Sequence, residues 1–180
     1  LAPFKCRVVA LHGYLEDDEY RKMIEATTYY VNASCCEGLC LPLMEFMSCR
    51  RPAVAPDHTA MADYIDASNA FIVRGTLEHN VWPHDPRDLF RTERYRIDWG
   101  SLLQAYEDSY RVAKGDPNRY RAMGGSACDA MCAHNSDDAV VERLRGFLAA
   151  SDVADRAAAA ARAEREDRAL ARESRKAAAQ

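Results

Sequence analysis

The sequence predicts an α/β fold, a parallel sheet with flanking helices followed by a solvated C-terminal helix. Three observations carry that prediction. Short apolar strands alternate with helical segments through the first half of the chain, the rhythm of crossovers between parallel strands. Those strands are apolar without a break, as strands covered on both faces are. The chain has 180 residues, and folding at this size buries about 70% of the unfolded surface, so the core needs no disulfide or metal staple.

The elements follow in order. Arg7–Leu11 (RVVAL), ending at His12-Gly13, reads as a buried strand and turn. Glu16–Thr27 opens on acidic residues and sets Tyr20, Met23 and Ile24 at helical spacing, which predicts an acid-capped helix. Tyr29–Ala33 is a second strand, and Leu41–Cys49, apolar almost all round, a helix packed on the sheet. Ala53–Ala55 is a third, short strand, Thr59–Asp66 a small helix and Ala70–Val73 a fourth strand. Arg74–Ile97 carries Gly, two Pro and many charges, and reads as a segment wrapping over the surface. Three helices close the body: Asp98–Ala113, one after Asp116-Pro117, where Pro suits a first helical position, and one from Ser136-Asp137 to about Leu148. The pattern is that of a Rossmann-like domain over residues 1–153. Residues 154–180 differ in kind, with twelve Ala, twelve charged residues and one large apolar side chain, Leu170. Such a segment favours helix but has no stripe to bury.

Composition narrows the function. At 48% hydrophobic, 29% charged and a net charge of -4, the chain reads as an ordinary soluble domain, not an electrostatic nucleic-acid binder. No apolar run approaches the roughly 18 residues of a transmembrane segment, and no signal-type segment opens the chain. Seven Cys, four of them between Cys35 and Cys49 in apolar sequence, suggest buried thiols in a reducing compartment. The expected location is the cytoplasm, free or peripheral to a membrane.

Chemistry concentrates in Ser34–Arg51, SCCEGLCLPLMEFMSCRR. A strand ends near Asn32-Ala33, a turn holds Glu37-Gly38, and a helix opens near Cys40–Pro42. Ligands of parallel sheets bind beyond the carboxyl ends of the strands. A helix opening there aims unsatisfied N–H groups and its positive dipole end at them, so the stretch predicts a phosphate or diphosphate site. Glu37 and Glu45 bracket it. On a continuous helix they would stand about 12 Å apart along the axis and about 80° around it, a spacing for gripping two ends of a long ligand. Glu45 sits among Leu43, Met44, Phe46 and Met47, where a carboxylate is costly unless paired or facing a site.

The run from Tyr30 to Ile65 closely resembles the donor-binding half of retaining glycosyltransferases of the GT-B fold, the glycosyl transferases group 1. The motif is Glu37, GLCLPLM, Glu45, then Pro52–Ala55, Asp57-His58 and Asp63-Tyr64. Flanking segments from Leu11 to Ser34 and from Ile97 to Ala127 resemble the family's preceding and closing elements. The resemblance implies transfer of a hexose from a nucleotide sugar to a saccharide or lipid-linked acceptor, in carbohydrate biosynthesis. It assigns Glu37 to the transferred sugar near the reacting carbon, the amides of Gly38, Leu39 and Cys40 to the diphosphate, and Glu45 to the ribose hydroxyls. It implies no cofactor and no bound metal, consistent with the lack of an Asp-x-Asp motif. Two departures accompany it. Arg50 stands where the family usually has Gly. The family's earlier strand and helix, and its preceding acceptor domain, have no counterpart, which implies an N-terminally truncated fragment inactive alone. The alternatives are a non-catalytic nucleotide-sugar-binding module and an epimerase or phosphorylase of the same fold.

Weaker signals stay open. Cys128, Cys132 and nearby His134 form a metal corner or, more simply, a packed helix face. His58 and His12 sit at expected strand ends, as ligand contacts or turn residues. Glu78–Tyr95 is a solvated loop or a wall of the sugar pocket.

Overall fold

A computed structural model of the chain describes residues 6–81, 84–87 and 89–151, together with Val153, Arg156, Ala161, Arg162 and Arg165. It forms two compact units, Leu1–Cys132 and Ala133–Gln180. The first has α1 (Asp17–Ala26), β1 (Tyr30–Val31), α2 (Leu41–Ser48), β2 (Ala53–Ala55), a 3-10 turn over Thr59–Asp63 and β3 (Ala70–Ile72). A hairpin, β4 (Gly75–Val81) and β5 (Arg91–Ile97), leads to α3 (Trp99–Gly115) and α4 (Pro117–Asn135).

Local chemistry sets the helix starts. Before α1 the Glu16 N–H donates to the Glu19 carboxylate at 3.0 Å, with acidic residues through the first turn complementing the dipole. Asp98 caps α3 by accepting from the Ser101 N–H at 3.0 Å. Pro117 occupies the first turn of α4, where its missing donor costs nothing.

The sheet is parallel in the order β1-β2-β3, with Val54 opposite Val31 on one side and Phe71 on the other. Alternate residues of its inner strands serve two cores. Ala53, Ala55 and Ala70 face Leu43, Met44 and Met47 of α2 and Ala127 and Met131 of α4. Val54, Phe71 and Val73 face Leu102, Ala105 and Val112 of α3 and Met123 of α4. This is the three-layer, Rossmann-like α/β arrangement, and it explains strands apolar at every position.

Two expectations fail here. The strand expected over Arg7–Leu11 does not form: residues 7–12 lack regular structure, and Val8, Val9 and Leu11 are 61%, 62% and 62% exposed. Apolarity makes a strand only beside a partner, and β1 pairs with β2 alone. The wrapping segment expected over Arg74–Ile97 is instead the β4–β5 hairpin, antiparallel from Gly75↔Ile97 to Val81↔Arg91. Leu77 and Val81 of β4 and Tyr95 and Ile97 of β5 share one face of it, a period-2 pattern that the charge count obscured.

In the second unit residues 137–151 are helical, with Val140, Val141, Leu144, Phe147 and Leu148 exposed. The helix expected over 154–180 falls outside the described residues except for Arg156, Ala161, Arg162 and Arg165, which are helical.

Candidate functional site

The three parallel strands end side by side, and the residues just past those ends converge. Asn32 extends β1 by donating its N–H to the Val54 carbonyl at 2.9 Å. Its buried carboxamide organises the turn that follows: Oδ1 accepts from the Ser34 N–H at 2.6 Å, while Nδ2 donates to Glu37 Oε1 at 3.2 Å and to Cys40 Sγ at 2.9 Å. The Ser34 hydroxyl donates to the same Glu37 Oε1 at 2.6 Å. Both donors thus spend themselves on one oxygen, and Oε2 accepts no hydrogen bond among the described residues.

From the end of β2, Thr59 fixes the backbone of the same turn. Its Oγ1 accepts the Glu37 N–H at 3.0 Å and donates to the His58 carbonyl at 2.8 Å. His58 Nδ1 contacts the same Oγ1 at 3.3 Å. Nε2 is buried without a hydrogen-bond partner among the described residues, and His58 is 5% exposed. Burial lowers its pKa, against the opposing pull of the His58 and Ser34 carbonyls and the Asp57 and Glu37 carboxylates.

Cys40 and Thr59 both adopt left-handed backbone, φ 59° and 52°, at a cost of about 1 kcal/mol each for a residue with a side chain. Cys40 is the residue from which α2 starts, with Pro42 in its first turn. Burial raises the Cys40 thiol pKa, opposed by the N–H groups of Asn32 and Leu43. Ahead of the helix, the amides of Gly38, Leu39 and Cys40 donate to no other group among the described residues. Meanwhile the Leu39 carbonyl is tied to the Tyr64 hydroxyl at 2.8 Å.

Several expectations about the site need correction. Glu37 lies before α2, which begins at Leu41, so the spacing drawn on a continuous helix does not apply. Glu45 is exposed on α2 and paired, its Oε2 accepting the Tyr20 hydroxyl of α1 at 2.6 Å. Burial and that bond push the Tyr20 phenol up to about 12. Tyr30 of β1 lies within the fields of Cys40, Glu37 and Glu45, and burial, the leading cause, takes its phenol to about 12 as well. The thiols expected to be buried are mostly not: Cys40 is, whereas Cys35, Cys36 and Cys49 are exposed. Arg50 takes φ 59° at the turn closing α2, the left-handed conformation for which Gly is suited. His12 is exposed and ends no strand. Among the described residues no group of three or more His, Cys, Asp or Glu is placed to hold a metal.

Sequence reasoning misses Asn32, Ser34, Thr59 and Tyr20: the first three are polar residues in turn regions, which turn formation alone also explains, and Tyr20 reads as part of the apolar face of α1.

Residues 3–82 match the family glycosyl transferases group 1. The matched stretch runs through β4 and includes every residue of the site described so far. Glycosyl transfer is the chemistry it supports, with a sugar donor and an acceptor as partners. No helix among the described residues is long and apolar enough to cross a membrane. Neither the curated proteins nor the solved structures give a match to the chain.

Proposed function

We propose that the chain is the donor-binding half of a retaining glycosyltransferase of the GT-B type, taking a hexose from a nucleotide sugar. The observation that carries this reading is the pinned Glu37 beside three unspent amides, Gly38, Leu39 and Cys40, ahead of α2 at the carboxyl ends of parallel strands.

The chemistry follows from charge. As the bond from the sugar's reacting carbon to the diphosphate breaks, its electron pair stays on the diphosphate. The Gly38–Cys40 amides and the positive end of α2 stabilise that developing charge, and they are already oriented before reaction. The free Oε2 of Glu37 accepts from a sugar hydroxyl and orients the ring. The acceptor's oxygen then bonds to the sugar carbon, and its proton passes to the departing diphosphate. Glu45 takes the ribose hydroxyls, exchanging the Tyr20 bond for them. A second domain presents the acceptor, a saccharide or a lipid-linked sugar, since transfer needs both substrates held together.

Calorimetric titration with UDP, GDP, ADP and dTDP tests the reading. One nucleotide should bind, and Glu45→Ala should weaken it by roughly tenfold, the effect of losing a charge-assisted hydrogen bond. Glu37→Gln should weaken the nucleotide sugar more than the bare nucleotide. No binding of any nucleotide or nucleotide sugar would overturn the proposal.

A further inference from the structure

The β4–β5 hairpin leaves β3 after only two residues, so it projects from the same end of the sheet as the site. It is also stitched to the site. The Tyr95 N–H of β5 donates to the Cys35 carbonyl at 2.7 Å, on the edge that β4 does not use. The Tyr95 ring stacks on His58, with centroids 4.3 Å apart and planes 13° apart. One main-chain hydrogen bond thus ties the segment before Glu37 to β5.

Beside this seam lies a cavity of about 210 Å³ lined by Ala33, Cys35, Glu78, Arg94, Arg96, Ile97 and Trp99. Drug-sized ligands need about 300–1,000 Å³, so this one has room for a single ring. Strand geometry assembles its polar wall. Arg94 and Arg96 are two apart and share a face of β5, with Glu78 directly opposite Arg94. Glu78 approaches Arg96 at 2.9 Å and Arg94 at 3.7 Å. Neither guanidinium forms a hydrogen bond of good geometry with it among the described residues. One carboxylate faces two cations, so a positive charge and several N–H donors remain unspent. Arg supplies the planar fork that suits carboxylates and phosphates. Trp99, 75% exposed, adds an apolar face to the same cavity, although burial would be the favourable state for an indole.

We propose that this cavity is a second subsite, separate from the Glu37–Cys40 turn, for a sugar ring bearing an anionic substituent, a phosphate or a carboxylate. The ring packs on Trp99, and the anion takes the free N–H groups of Arg94 and Arg96. Its role as the acceptor side of the reaction rests on the proposed function; the binding itself does not.

The test uses the whole chain in a Trp82→Phe background, which leaves Trp99 as its single indole. Glucose 6-phosphate and glucuronate should each change Trp99 emission saturably, while glucose and inorganic phosphate bind at least about tenfold more weakly. An Arg94→Gln/Arg96→Gln variant should lose at least about tenfold for glucose 6-phosphate, the loss expected of charged hydrogen bonds. Circular dichroism and an unchanged nucleotide affinity would show that this variant is folded. Trp99→Ala should retain anion binding by calorimetry but lose the preference for sugar phosphate over inorganic phosphate. The proposal falls if glucose 6-phosphate gives no saturable response, if the double variant binds it equally well, or if inorganic phosphate matches it. Sugar-phosphate binding without any nucleotide binding would support the subsite and remove only its acceptor role.

Discussion

The backbone carbonyl oxygen of Arg50 lies 2.6 Å from the place a Cβ on Gly124 would occupy. Helix α4 therefore crosses the turn that closes α2 at backbone contact, and the chain has Gly at the one α4 position where this contact demands it. The obstructing atom is main chain, which cannot swing aside as a flexible side chain could.

Neighbouring glycines should respond to alanine with opposite signs. Gly124→Ala must force α4 away from Arg50 and should cost about 1–3 kcal/mol, about 2–4 °C in Tm per kcal/mol at this chain length. Gly125, with nothing within 4 Å of its added Cβ, should gain about 0.5–1 kcal/mol from Gly125→Ala through helix propensity. Thermal melts of the two variants decide this; equal shifts would refute the close crossing. Arg50→Gly, which relieves a left-handed Arg, should stabilise by up to about 1 kcal/mol, net of the added freedom of unfolded Gly.

On the acid side, His58 should make stability fall with pH. Its pKa is lowered by burial, so the unfolded chain binds the proton more readily. The stabilising difference is whole above the unfolded value of about 6.5 and is lost as pH falls below it. Melting temperatures measured across that range should drop more steeply for the native chain than for His58→Phe, which keeps the stack on Tyr95 and has no nitrogen to protonate. Parallel curves would contradict the buried, neutral imidazole.

Alkali should act through phenols. Burial is the leading cause raising Tyr20, Tyr29 and Tyr30 to about 12, and it raises Tyr64 further. These groups ionise near 10 when unfolded, so their contribution is intact below pH 10 and disappears as pH climbs from 10 through 12. Phenolate absorbance should show four of the nine tyrosines titrating late, together with unfolding. Tyr20→Phe should remove one of the four. A single transition near 10 for all of them would dispose of the claim.

Particular residues show what could be read ahead of the structure. The apolar Ala53–Ala55 and Ala70–Val73 had to be covered on both faces, and they are, because neighbouring positions point into different cores. The turn at Glu37-Gly38 could be placed because strand end, Gly and helix opening follow one another within a few residues. The partners of those side chains could not. Tyr20 meets Glu45 across 25 positions and Thr59 meets Glu37 across 22, and nothing local encodes such meetings. Arg7–Leu11 marks the opposite limit, since its composition suits a strand but pairing is a property of neighbours.

The hairpin has a kinetic meaning as well. Its ladder joins residues close along the chain, and such hairpins close in about 1–10 μs. Each parallel pairing must first wait for a helix-length crossover to be organised, which is slower. The β4–β5 ladder is therefore expected to form ahead of the parallel pairings, and pulsed hydrogen exchange during refolding should protect its amides before those of Ala53–Ala55 and Ala70–Ile72.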